Sequence, residues 1–231
     1  MKSMKRFLFM FVVAICMVGL IGCDDEIEKE FGSIDYSEPY LGIDVGFNPD
    51  AYNIDPLYPQ FAIWLEYENI LGITQYQSLF ATRGVAKNQW VWVGGSLVRR
   101  PGATPLWYSV KEKEDDLDID AVSGATPYCD FFTVYCQVPK DLGLSGKIIV
   151  RSEYNVSFDV TLTYANPIYG QPSVIWEGVV DTDEMSNGDV AESAIVGHGK
   201  VYSDEIYEDL TGMTSALRLI NSVNVTYYNG K

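Results

Sequence analysis

A period of two in the apolar residues limits how this chain can fold. From Tyr40 onward, Leu41, Ile43, Val45 and Phe47 alternate with Gly42, Asp44 and Gly46. That spacing puts one face of a strand on a core and turns the other outward. Asn48-Pro49-Asp50 then turns the chain. Residues 61–67 and 75–82 read as two further strands, joined through Glu68-Asn69 and Gly72 as a hairpin. Trp90-Val91-Trp92-Val93 ends at Gly94-Gly95, and a loop by composition follows, with Arg99, Arg100, Pro101, Gly102 and Pro105. Beyond it, strands are expected over 131–138, 147–151, 156–164 and 173–180, with a turn near Glu153-Tyr154-Asn155. Residues 181–189 form an acidic loop, and Val223, Val225 and Tyr227 alternate in a closing strand. A single helix is expected, capped by Thr211 or Thr214 and running through Ala216, Leu217 and Ile220. Many short strands with Gly, Pro and Asn punctuation and little helix imply a mainly β fold. The expectation is an antiparallel immunoglobulin/fibronectin-like β-sandwich with one short C-terminal helix, formed by residues 39–231 as a single domain.

The beginning of the chain is a different kind of sequence. Lys2, Lys5 and Arg6 precede an unbroken apolar run from Phe7 to Ile21. The run is shorter than the roughly 20 residues of a membrane-spanning helix and fits the apolar part of a secretory signal. Leu20-Ile21-Gly22-Cys23 resembles the lipobox of bacterial lipoproteins. The resemblance implies cleavage of residues 1–22, acylation of Cys23, and insertion of its chains into a bilayer; two or more acyl chains anchor firmly where one is marginal. Lipoprotein processing and export machinery would be partners. Asp24, Asp25 and Glu26 follow, and residues 23–38 read as an acidic tether. The expected location is the outer membrane, on its periplasmic or cell-surface face.

The net charge is −16, and removing Lys2, Lys5 and Arg6 leaves the remainder more acidic still. Such a surface repels nucleic acid and anionic lipid. Aromatic content is high, with 16 Tyr and 5 Trp, which is no composition for disorder. Cys16 leaves with the leader. Cys129 and Cys136 are separated by a strand too long to let them pair within the roughly 7 Å that a disulfide needs, so both are expected as buried thiols.

Few residues suit catalysis. Asp116, Asp118 and Asp120 have the spacing of the first calcium ligands of an EF-hand, but Ala121 and Pro127 stand where that loop needs Gly and Glu. No metal site is expected. His198, between Gly197 and Gly199, is the single histidine, and it reads as part of a turn. Glycan hydrolysis needs two carboxylates, which 32 acidic residues satisfy without discrimination; a glycan-active enzyme is the disfavoured reading. Trp64, Trp90, Trp92 and Trp107 suit either a ligand groove or a core. Arg83, Arg99 and Arg100 can hold an anion by paired contacts or neutralise nearby carboxylates; Arg83, Arg100 and Trp107 are the candidate ligand contacts.

Several motifs occur in a characteristic order: Phe61-Ala62-Ile63-Trp64-Leu65-Glu66, Leu79-Phe80-Ala81-Thr82-Arg83, Arg100-Pro101, Pro105-Leu106-Trp107, and Asp120-Ala121-Val122-Ser123-Gly124-Ala125-Thr126-Pro127. Together they resemble an uncharacterised family of predicted periplasmic bacterial proteins, a domain of unknown function. The resemblance spans most of residues 56–226 and implies an extracytoplasmic β-rich domain without an established activity. The central Asp-x-x-Ser-Gly-Ala-Thr is also similar to the flavinylation signal of proteins that carry FMN on threonine. That similarity implies attachment at Thr126, with Asp120, Ser123, Gly124 and Ala125 in support, and a flavin transferase and membrane redox proteins as partners. The same residues also suit a turn in which Asp120 accepts backbone amides, Gly124 takes a positive φ and Pro127 stiffens the exit. The leading expectation is a non-enzymatic binding or accessory module with no cofactor; an electron carrier with covalent FMN is the alternative.

Overall fold

The computed structural model describes residues 27–30, 33–52, 59–87, 90–93, 96–99, 103–114, 117–124, 130–155, 172–200, 203–214 and 216–230. The described residues form the strands β1 (Ile27–Glu30), β2 (Tyr40–Phe47), β3 (Gln60–Glu68), β4 (Thr74–Thr82), β5 (Trp90–Val93), β6 (Ser96–Arg99), β7 (Ser123–Gly124), β8 (Phe131–Gln137), β9 (Lys147–Asn155), β10 (Val174–Asp181), β11 (Val190–Glu192), β12 (Ala194–His198) and β13 (Ile220–Tyr228). One sheet has the order β1-β8-β2-β13-β11, a second β12-β10-β9-β3-β4-β7, and β5 and β6 pair by themselves. Pairing is antiparallel except for β1 on β8 and β4 on β7.

The two large sheets face each other across a core set by the period of two. Leu41, Ile43, Val45 and Phe47 of β2 meet Phe132, Val134 and Cys136 of β8 and Val223, Val225 and Tyr227 of β13. Phe61, Ile63 and Leu65 of β3 complete it from the other sheet, with Leu79 and Phe80 of β4 and Ile148, Val150 and Tyr154 of β9. Phe61 is the hub, its ring centroid 5.0 Å from Phe80, 5.4 Å from Tyr154, 5.7 Å from Phe47 and 5.8 Å from Phe132. Such pairs add about 0.5–1.5 kcal/mol each beyond the area they bury.

The second sheet is covered on both faces. Its outer face carries Ala62, Trp64, Ala81 and Ile175, which pack against Val85 and Ala86 of α2 (Arg83–Ala86) and Leu106, Trp107 and Val110 of α3 (Pro105–Lys111). That explains why β3 reads as a continuous apolar run rather than an alternation: Phe61, Ala62, Ile63, Trp64 and Leu65 are all fully buried. Ala62 and Ala81, paired across β3 and β4, lie in the same buried cluster as Trp64 and Trp107.

A mainly β sandwich is thus the architecture, and the hairpin over β3 and β4 and the strands β2, β8, β10 and β13 are where alternation places them. Several readings change. Glu153, Tyr154 and Asn155 are not a turn but the end of β9, paired with Ala62, Phe61 and Gln60 of β3; their mixed composition reflects a strand with two differently buried faces. The expected strand over 156–164 lies outside the described residues. Helix occurs away from the C-terminus, in α1 (Pro49–Tyr52), α2, α3 and α4 (Ile119–Val122), while the C-terminal element is a 3-10 turn, Ala216–Arg218, with Ile220 already in β13. Within the stretch read as a tether, Ile27–Glu30 forms β1 on the edge of β8. The bonds come from the exposed edge of its neighbour, which no periodicity in residues 27–30 could announce.

Candidate functional site

The central motif is held by its neighbours. Asp118, not Asp120, accepts the backbone amides: its Oδ1 takes Asp120 N–H at 2.9 Å and Ala121 N–H at 3.2 Å, capping α4. Asp120 is exposed and forms an ion pair with Lys87 instead, which holds its carboxyl below the usual range. Gly124 has no positive φ. It continues β7 in extended form beside Thr82 of β4, and a Cβ there would run into the Phe80 ring. Glycine is needed for close approach, not for backbone freedom. Ser123 Oγ is buried without a hydrogen-bond partner among the described residues. Ala125, Thr126, Pro127, Cys129 and Arg100 lie outside the described residues, as does Cys23.

The other candidates disperse. Trp107 is fully buried, so it is a packing residue and not a ligand contact; its Nε1 donates to Ser78 Oγ at 2.9 Å. Trp64 is likewise core, and Trp90 and Trp92 lie on β5. Arg83 opens α2 exposed to solvent, with no ion pair among the described residues. Gly197 and His198 are not in a turn but end β12, with Gly199 just beyond it, and His198 bridges to Tyr207 and stacks on its ring at 5.4 Å. Gly197 is required because a Cβ would stand 2.5 Å from Tyr207 O. Cys136 is a buried free thiol, pushed up to about 12 by burial. Among the described residues, no three His, Cys, Asp or Glu side chains group as a metal would need.

One buried acid was not anticipated. Glu153 points from β9 to the outer face of its sheet and is fully buried. It accepts Trp107 N–H at 2.8 Å and Leu106 N–H at 3.2 Å, and the Ser173 hydroxyl as well. Burial raises its carboxyl to about 7, against the lowering effect of the Ser173, Trp107 and Leu106 bonds. It thereby caps α3, whose own N-cap residue Thr104 makes no side-chain cap bond. A Cβ on Gly199 would collide with Glu153 and come within 2.6 Å of Ser173 Oγ, so the pocket is closed. The same helix is tied at its other end, where Glu114 accepts Ser78 N–H with both oxygens at 3.0 Å. Glu153 is a structural acid that latches a helix to a sheet. Pro105 at the first helical position was the available sign of that helix, but the capping group comes from elsewhere in the chain.

The exposed feature with the most distinctive chemistry is at one end of the sandwich. The β3–β4 turn and the β8–β9 loop are tied together by Ile70 N–H to Asp141 O at 2.9 Å and Gly143 N–H to Glu68 O at 2.7 Å, and Asn69 bridges to Leu142. Gly143 is needed there, since a Cβ would come 2.7 Å from Asn69 O. Asn69 Oδ1 shapes the turn by accepting Leu71 N–H and Ile73 N–H, both at 3.0 Å, with Gly72 at φ 71°. Tyr67 Oη donates to Asp141 Oδ1 at 3.0 Å and fixes the second loop. On this built scaffold Ile70, Leu71, Ile73 and Leu144 stand 70%, 75%, 53% and 100% exposed. Large apolar side chains exposed together on two joined loops are the kind of surface that marks an interaction site. The sign in the sequence was an Ile-Leu-Gly-Ile run inside a turn that ought to be polar.

A scan against protein-family models, a search of the curated proteins and a search of the solved structures each find no match. The family resemblance therefore rests on the quoted motifs alone.

Proposed function

We propose that this chain is an extracytoplasmic lipoprotein, anchored in the outer membrane through acylated Cys23, that works as a non-enzymatic binding or accessory module through the paired loops at one end of its β-sandwich. The observation that carries the reading is the tip of Ile70, Leu71, Ile73 and Leu144, exposed on loops that hydrogen bonds already hold in shape. A preformed surface loses little freedom on binding. The topology agrees with it. β1 starts beside Phe132 and runs parallel to β8, whose far end leads into the 139–146 loop. The N-terminal strand thus enters at the end of the sandwich opposite the tip.

In the competing reading Thr126 carries FMN. Its supporting residues have other employment: Asp120 pairs with Lys87, and Gly124 fits against Phe80. The anchored-module reading is tested by intact mass and membrane fractionation of the chain and of Cys23→Ser. A lipid-sized mass on the first and release of the second into the soluble fraction are expected. An unlipidated chain that stays in the soluble fraction without the substitution would overturn the anchor.

A further inference from the structure

The surroundings of the apolar tip narrow what it can meet. Glu68, Asp141, Asp183 and Glu184 are exposed around it, the last two on the turn that Thr182 N–H joins to Gly146 O at 2.8 Å. Against them stand Lys140 and Lys147, and Lys147 is already drawn to Asp181 at 3.9 Å. This acidic rim lies on a chain of net charge −16. An anionic bilayer would be repelled. A second copy would bring the same acidic rim against this one, a like-charge arrangement that interfaces avoid. The bilayer holding the anchor is disfavoured by placement as well, because β1 enters at the opposite end.

From this geometry we infer that the Ile70, Leu71, Ile73 and Leu144 tip docks on another extracytoplasmic protein, at an apolar surface bordered by Lys or Arg. A cationic amphipathic segment is the simplest form of such a partner. The inference rests on the reading that this end of the sandwich is the binding end. The aliphatic side chains supply the buried area, and the rim supplies orientation and speed of encounter.

The test uses the full lipidated chain in phosphatidylcholine nanodiscs and an amphipathic peptide of Leu and Lys as the probe. Its twin of Leu and Glu, phosphatidylcholine vesicles, and vesicles containing phosphatidylglycerol serve as alternatives. The variant Leu71→Ser/Leu144→Ser changes no charge, and Val190→Ser removes an exposed apolar side chain elsewhere. The Leu/Lys peptide is expected to bind, and the double variant to weaken it by about tenfold or more, as loss of two buried leucines implies. Val190→Ser should leave binding unchanged, the Leu/Glu twin should bind about tenfold more weakly or worse, and neither vesicle should bind. Equal binding by the double variant would show that net charge alone attracts the peptide and would overturn the inference. Equal binding of the Leu/Glu twin would remove the basic rim, and tip-dependent vesicle binding would make the occupant a bilayer. Tip-dependent dimerisation would make it a second copy; each of these outcomes overturns the inference too. Circular dichroism of the variants separates loss of binding from loss of fold. Release of Cys23→Ser from the membrane is scored apart, so failure of the anchor and failure of the partner remain distinguishable.

Discussion

Replacing Glu153 by Gln separates the charge of this residue from its role as a cap. In the folded chain burial lifts the carboxyl from the ordinary 4.5 to about 7. At about 1.4 kcal/mol per tenfold in proton affinity, the fold favours the protonated form by about 3 kcal/mol. Because the folded value is the higher one, this stabilisation is complete below pH 4.5, declines as the pH rises toward 7, and is absent above it. Gln cannot ionise, so it lacks that slope. It retains one carbonyl for the amides of Leu106 and Trp107 but sets an NH2 group against the other donor, a pH-independent cost of about 1–3 kcal/mol. The Glu153→Gln variant should therefore be less stable than the parent near pH 4.5 and should match or exceed it at pH 8, the difference moving by about 3 kcal/mol. Urea unfolding followed by fluorescence of the buried Trp64 and Trp107, in a Cys23→Ser background at several pH values, measures it. A difference constant with pH to within about 0.5 kcal/mol, the ordinary scatter of such comparisons, would refute the argument that Glu153 is a desolvated acid.

Gly124→Ala places a methyl group against the Phe80 ring and should lower stability by about 1–3 kcal/mol, read as a shift in urea midpoint. Cys136 should resist alkylation at pH 8 until the chain is denatured, since burial raises its thiol to about 12; mapping the labelled cysteines by mass spectrometry checks this, and native labelling would show an opening core. Arg151→Ala leaves Glu66 and Glu177 facing each other without the guanidinium that now bonds both, Nε to Glu177 Oε2 at 2.9 Å. Partial exposure of the three groups moderates the loss to about 1–3 kcal/mol, read as a shift in urea midpoint. Co-expression with an active flavin transferase should leave the intact mass unchanged; a flavin-sized gain that disappears in Thr126→Ala would make the chain a redox carrier instead.

Alternation made the sandwich legible because half of β2, β8 and β13 must face a core. The same rule failed at Glu153-Tyr154-Asn155. There Tyr154 is core and Glu153 fills a sealed polar pocket on the opposite face; a buried carboxylate looks like a loop residue until its partners, far away in the chain, are in place. Trp107 looked like a ligand contact because an indole near Arg and Pro is indistinguishable, by type, from one that closes a helix onto a sheet. A Ser-Gly-Ala-Thr run suggests backbone freedom at Gly124, where close approach to Phe80 is the cause. The apolar tip was present as letters in the β3–β4 turn. Leu144 is brought to the same end of the sandwich only through the Glu68–Gly143 and Ile70–Asp141 bonds, which short-range sequence patterns do not encode.

The parallel pairing of β1 with β8 has a mechanical consequence. Ile27, Glu28, Lys29 and Glu30 lie alongside Phe132, Thr133, Val134 and Tyr135. In a parallel pair the inter-strand bonds are evenly spaced along the strand. Tension applied through the N-terminus along the strand axis would load them in shear, so that they share the force rather than peel open one at a time. The first strand would then act as a strain relief, keeping a pull on the N-terminus from reaching β2 and β13 behind it.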